Sequence, residues 1–176
     1  VRVVYAEMNW GRIETWHPAP IPFYEVGAFF DVGVYPLAVL TSIFGPVKWV
    51  QALGTVVLPD RVTKDGVPYT VTTPDWMVTI MQLSDGPHVR LTTGFYVANK
   101  SSRQQGLEVH GDLGSLHLDS TGMFNTTVTH IPFGGEREKV ALVRDPYPGI
   151  PWGRGVHEVA TAIRDDCPHL FAGEQA

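Results

Sequence analysis

The chain has 176 residues, 44% of them hydrophobic and 18% charged, with a formal net charge of −5. That balance excludes a disordered or supercharged chain and suits one domain with a substantial core. No stretch concentrates lysine and arginine and no apolar run reaches the roughly 20 residues of a membrane-spanning helix, so nucleic-acid binding and membrane insertion are both set aside.

Eighteen glycines and 14 prolines exceed the usual share and point to many turns between short strands. The single Cys167 forms no internal disulfide and no cysteine-based zinc site, which fits a reducing cytoplasm. No signal peptide is evident. The missing initial Met, and an end in mid-pattern, suggest a fragment.

Val1 to Met8 alternates like a strand. The segment Trp16–Tyr24 carries Pro18, Pro20 and Pro22 and is expected to be a stiff, non-helical aromatic arm. Such an arm suits the wall of a cleft, or simply the cover of a core. Gly27 to Phe44 reads as the main helix, with Phe30, Val34, Leu37, Thr41 and Phe44 in a stripe so broad that the helix should be largely buried. Gly45-Pro46 ends it, and Pro36 marks either an early helical position or a kink.

From Val47 the pattern is β. Asp75–Leu83 and His88–Tyr96 flank the turn Ser84–Pro87; Leu107–Gly111 and Ser115–Leu118 flank Asp112-Leu113-Gly114. Thr126–Ile131 and Glu138–Val143 flank Gly134-Gly135. The polar stretch Asp60–Tyr69 is expected to be an excursion at the sheet edge. Val156, Val159, Ala160 and Ile163 then mark an amphipathic helix ending near Asp166, and Gly173–Ala176 resembles the first turn of a further, truncated helix. The expected fold is α+β: an open, mostly antiparallel sheet with helices packed on one face.

Several kinds of chemistry are missing from the sequence. It contains no G-x-G-x-x-G, no P-loop and no G-x-S-x-G. The histidines are scattered; His110 and His117 flank one hairpin, but two ligands without a third make no metal centre, and no metal is expected. The one constellation with chemical content is Asp31-Val32-Gly33-Val34-Tyr35, which in a helix places a carboxylate and a phenol one turn apart on one side. On spacing alone the plainer reading is a helix-terminal charge and a core aromatic with a wet tip.

Three segments resemble the Gfo/Idh/MocA oxidoreductase family: Trp16-His17-Pro18, Gly27–Leu37 with its D-x-G-x-Y core, and Phe44-Gly45-Pro46-Val47. Leu107–Leu116 is similar to the family's late hairpin and Gly155–Asp166 to the helix after it. The resemblance runs along essentially the whole chain but only to the C-terminal domain of that family. It implies that residues 1–176 form a substrate-binding and oligomerisation domain, and that an N-terminal Rossmann domain holding NAD or NADP is absent here. No cofactor is therefore expected on this chain alone.

Carried over residue by residue, the resemblance makes Asp31 and Tyr35 catalytic and places Trp16 and His17 beside the substrate. Tyr35 falls where many members have histidine and a tyrosine-bearing branch has tyrosine. A lysine from the missing domain would favour the phenolate, and Asp31 would orient that lysine or accept from a substrate hydroxyl. The implied function is an NAD(P)-dependent oxidoreductase acting on a sugar, polyol or related secondary alcohol, forming a homodimer or larger through the open sheet face. The alternative is a non-catalytic ligand-sensing or oligomerisation module with the same fold.

Overall fold

In the computed structural model, residues 1–84, 86–143, 145 and 152–169 are described. Contacts divide the chain into two units, Val1–Gly122 with Thr126–Ala141, and Met123–Asn125 with Leu142–Ala176.

The first unit is built on an eight-stranded sheet. Its strands are β1 (Val3–Asn9), β2 (Val47–Thr55), β5 (Trp76–Leu83), β6 (His88–Gly94), β7 (Gln105–Gly111), β8 (Gly114–Leu118), β9 (Val128–Pro132) and β10 (Glu138–Lys139). The order across the sheet is β10-β9-β8-β7-β1-β6-β5-β2, and a separate hairpin joins β3 (Asp60–Val62) to β4 (Pro68–Thr70). Every pairing is antiparallel except β1 with β6, which runs parallel from Val3↔His88 to Asn9↔Gly94.

Strand alternation decides which side is core. On β5, Thr79, Met81 and Leu83 are buried, while Ile80 between them is exposed. The same inward rule collects Val4 and Ala6 from β1, Val89 and Leu91 from β6 and Leu107 from β7 around Leu40 of the covering helix. Each large aliphatic side chain buried this way contributes about 1.5–3 kcal/mol.

The helices over this face differ from the sequence reading in three ways. First, the proline-bearing arm is helical after Pro20: α1 spans Ile21–Val26 with a proline in its first turn. Pro22 sits where its missing N–H has no intrahelical partner to lose, so proline starts this helix. Second, the expected helix Gly27–Phe44 is two segments, α2 (Ala28–Val32) and α3 (Val34–Phe44). Gly27 at φ +84° separates α1 from α2, and Pro36 has no N–H to offer the Val32 carbonyl, which interrupts the ladder between α2 and α3. Third, this helix is not largely buried. Phe29, Leu37, Leu40 and Phe44 face the sheet core, but Phe30, Val34, Tyr35 and Ile43 are exposed.

The stretch Asp60–Tyr69 leaves the eight-stranded sheet as expected, with more structure than a polar excursion. It forms most of the β3–β4 hairpin and carries the buried Arg61. In the second unit, α4 (Arg154–Arg164) occupies the place read as an amphipathic helix. The turn expected at Gly173–Ala176 lies outside the described residues. Among the described residues no helix is long and apolar enough to cross a membrane.

Candidate functional site

Asp31 closes the first turn of α2, its N–H donating to the Gly27 carbonyl at 3.1 Å. Gly33 keeps right-handed helical angles, and the bonds Gly33 N–H to Phe29 (2.9 Å) and Leu37 N–H to Gly33 (3.1 Å) carry the helical path across the interruption. Asp31 and Tyr35 therefore stand one turn apart on the same side of a helical path, the spacing at which side chains are neighbours.

Their environments differ. Asp31 is half-buried, and burial raises its carboxyl above the ordinary aspartate value. Tyr35 is 45% exposed. Among the described residues neither side chain has a hydrogen-bond partner, nor do they bond each other. A carboxylate with a structural task normally accepts from backbone or side-chain donors. Among the described residues Asp31 accepts from none.

Trp16 and His17 belong to a second aromatic layer. The Phe23 ring lies 4.8 Å from the His17 ring and 6.1 Å from Trp16, and Trp16 meets Trp10 at 6.4 Å, all edge to face. His17 Nδ1 is held by its own turn, 3.1 Å from the Ala19 N–H. Phe23 and Trp10 pack in the same cluster as Ala28 and Val32 of α2, so the arm and the helix of Asp31 share one apolar foundation. No hydrogen bond or ring contact joins Trp16 or His17 to Asp31 or Tyr35 among the described residues.

Beneath the arm lies a polar node. The Arg61 side chain is fully buried and donates to Glu14 Oε1 and to the Tyr24 hydroxyl, each at 2.8 Å, to the Leu58 carbonyl at 3.0 Å, and to Asp75. Tyr24 donates in turn to Glu14 Oε2 at 2.6 Å. Burial, then that bond to Glu14, pushes the Tyr24 phenol far above its ordinary value and keeps it a donor. Asp75 also accepts from the Val57 N–H at 2.6 Å, and Lys64 reaches the Trp16 carbonyl at 3.1 Å. The β3–β4 hairpin thus holds the middle of the short 3-10 turn Ile13–Thr15, at Glu14, and the residue after it, Trp16, where the arm begins. Tyr69 on β4 leaves its hydroxyl without a partner among the described residues, and burial raises it to about 12.

The sequence reading missed this node. Its signal was a lone arginine in a stretch that looks solvated, and the two carboxylates that neutralise it lie 47 and 14 residues away. His110 and His117 do share a sheet face, but diagonally. His110 pairs with Ser115 and His117 with Glu108, so that Glu108 lies 3.8 Å from one ring and 3.4 Å from the other. Among the described residues no cluster of His, Cys, Asp and Glu could hold a metal ion.

Solved structures share the fold. An NAD binding oxidoreductase from Klebsiella pneumoniae matches with TM-score 0.69 and 17% identity, over 96% of this chain and 51% of that one. An aldose-aldose oxidoreductase from Caulobacter crescentus matches with TM-score 0.69 and 14% identity, over 99% and 49%. The super-repressor mutant of Gal80p from Saccharomyces cerevisiae matches with TM-score 0.67 and 13% identity, over 97% and 49%. The chain spans about half the length of these structures. No curated protein matches it. Residues 1–117 match the family described as GFO/IDH/MocA C-terminal domain, two thirds of the chain, and the chain belongs to that family.

Proposed function

We propose that this chain is the substrate side of an NAD- or NADP-dependent oxidoreductase acting on a sugar, polyol or related secondary alcohol. Asp31 and Tyr35 are its catalytic pair, and Trp16 and His17 contact the substrate. The observation that carries this is Asp31, a half-buried carboxylate with raised pKa and no hydrogen-bond partner, one turn from an exposed phenol. A half-buried carboxylate whose pKa is raised by burial is suited to proton transfer. Membership of the GFO/IDH/MocA family supports an oxidoreductase, and the aldose-aldose relative supports a sugar-like substrate.

The described residues offer the dinucleotide no cradle. Among the described residues no strand runs through a turn with two or more glycines into an α-helix, the geometry that receives a pyrophosphate. The cofactor is therefore assigned to an N-terminal Rossmann domain outside these residues. When bound there, it would accept the hydride of the alcohol.

The residues of this chain handle the hydroxyl and its proton. A tyrosine phenol is a weak base at neutral pH. Tyr35 needs a nearby cation to act as one, and the lysine that family resemblance places in the missing domain fills that need. Asp31, readier than an ordinary aspartate to hold a proton, receives or relays it.

A second reading is favoured by the Gal80p match: the same fold serving as a non-catalytic ligand sensor. The test is a screen of the protein, joined to its cofactor domain, against aldoses and polyols with NAD and NADP. Substrate-dependent change in nicotinamide absorbance supports the enzyme reading. Sugar binding without turnover supports the sensor.

A further inference from the structure

β1 and β6, the parallel pair, end side by side at Asn9 and Gly94. The segments leaving them enclose a cleft of about 620 Å³, with Gly11, Arg12 and Thr15 on one wall and Tyr96 and Asn99 on the other. Gly11 lets the walls approach: a Cβ there would stand 2.8 Å from Asn99 Oδ1, and its φ of +63° suits glycine. The Arg12 guanidinium lies over the Tyr96 ring, 5.4 Å from its centre. Gln104 Nε2 donates to Asn99 Oδ1 at 3.0 Å, which fixes the carboxamide and leaves its amide nitrogen as a donor.

The cleft carries a positive charge in an acidic chain. Arg2, Arg61, Arg90, Arg103 and Arg164 each meet a carboxylate. Arg12, like Arg137, meets none among the described residues, and no residue lining the cleft is acidic. A guanidinium resting over an aromatic ring has less freedom left to lose on binding, and its fork matches the two oxygens of a carboxylate or phosphate.

We propose that this cleft binds the oxyanion of a small molecule, a carboxylate or a phosphate, through Arg12 and Asn99. The proposal stands apart from the oxidoreductase reading, because it concerns binding alone. Trp10 and Trp16 flank the Gly11–Thr15 wall in sequence and provide a fluorescence signal.

The test titrates the protein with inorganic phosphate and, separately, with acetate, at constant ionic strength. Saturable millimolar binding of either is expected, and the tighter of the two names the source. Arg12→Gln should weaken it about tenfold or more, the usual effect of losing a charge-assisted bond. Tyr96→Leu, which keeps the charge but removes its support, should weaken it severalfold. Arg137→Gln, an exposed charge in the turn between β9 and β10, should leave it unchanged. Three results would overturn the site: no saturation by either anion, parental affinity in Arg12→Gln, or an equal loss in Arg137→Gln.

Discussion

Arg61 Nη1 donates to Glu14 Oε1 at 2.8 Å, and this buried ion pair ties the β3–β4 hairpin to the turn that leads into Trp16. With Asp75 it leaves one cation between two carboxylates, so its removal strands two buried negative groups. Arg61→Met should therefore cost about 3–5 kcal/mol, the usual consequence of breaking a buried pair from one side. Glu14→Gln keeps the shape and should cost about 1–3 kcal/mol. Urea unfolding checks both, and a loss below the error of the melt for Arg61→Met would show that the node is not buried as described.

Asp31 gives a pH prediction with a definite sign. Burial raises its pKa in the folded state above the unfolded value of about 3.9. The folded state then holds the proton more tightly, so this contribution to stability is complete below the unfolded pKa and is lost as pH rises through the folded one. Asp31→Asn removes that loss. The variant should melt higher than the parent at neutral pH, with the gap closing below about pH 3.9. A variant that melts lower at neutral pH would mean that the carboxylate has a stabilising partner.

The uncovered sheet face bears on self-association. Trp49, Leu53 and Ile80 are exposed together near the β2 edge, with Leu53 opposite Val78 and Gln51 opposite Ile80. Around β1 the same face turns polar: Arg90 bonds Glu7 and lies over Tyr5. We propose a homodimer or larger assembly centred on the apolar half, since contiguous apolar surface of this kind marks interfaces. Light scattering at high micromolar concentration should show it, and Leu53→Lys with Ile80→Glu should return the monomer. A parent that is monomeric throughout would remove the proposal.

What could be read from the sequence was local. The strands flanking Ser84–Pro87 were legible, because a strand and the turn beside it are set by residues close in sequence. The hairpin turns were legible from their glycines. The parallel pairing of β1 with β6 was not, since it joins residues about 85 positions apart with no turn between them. The hairpin holding Arg61 looked solvated because its neutralising partners are distant in sequence. Helix α1 was misread although the signal was present: prolines at a helix start are favourable, and Pro20 and Pro22 stand there. In the candidate site, the D-x-G-x-Y spacing gave the shared side of Asp31 and Tyr35, but not that one would be half-buried and the other open.

The absence of a pyrophosphate cradle among the described residues yields a further prediction. Calorimetric titration of this 176-residue chain alone with NADH or NADPH should show no stoichiometric binding. Micromolar binding would place the cofactor on this domain and overturn the division of labour proposed above.

The most direct test is the turnover number of Tyr35→Phe in the protein joined to its cofactor domain, at saturating sugar and nicotinamide. The ring remains and the residue is 45% exposed, so the variant should fold and melt like the parent. If Tyr35 carries the proton, kcat should fall by about 10²–10⁴-fold, the usual contribution of a positioned acid–base group. A kcat within about twofold of the parent, with the fold intact, would contradict the catalytic role of the Asp31–Tyr35 pair.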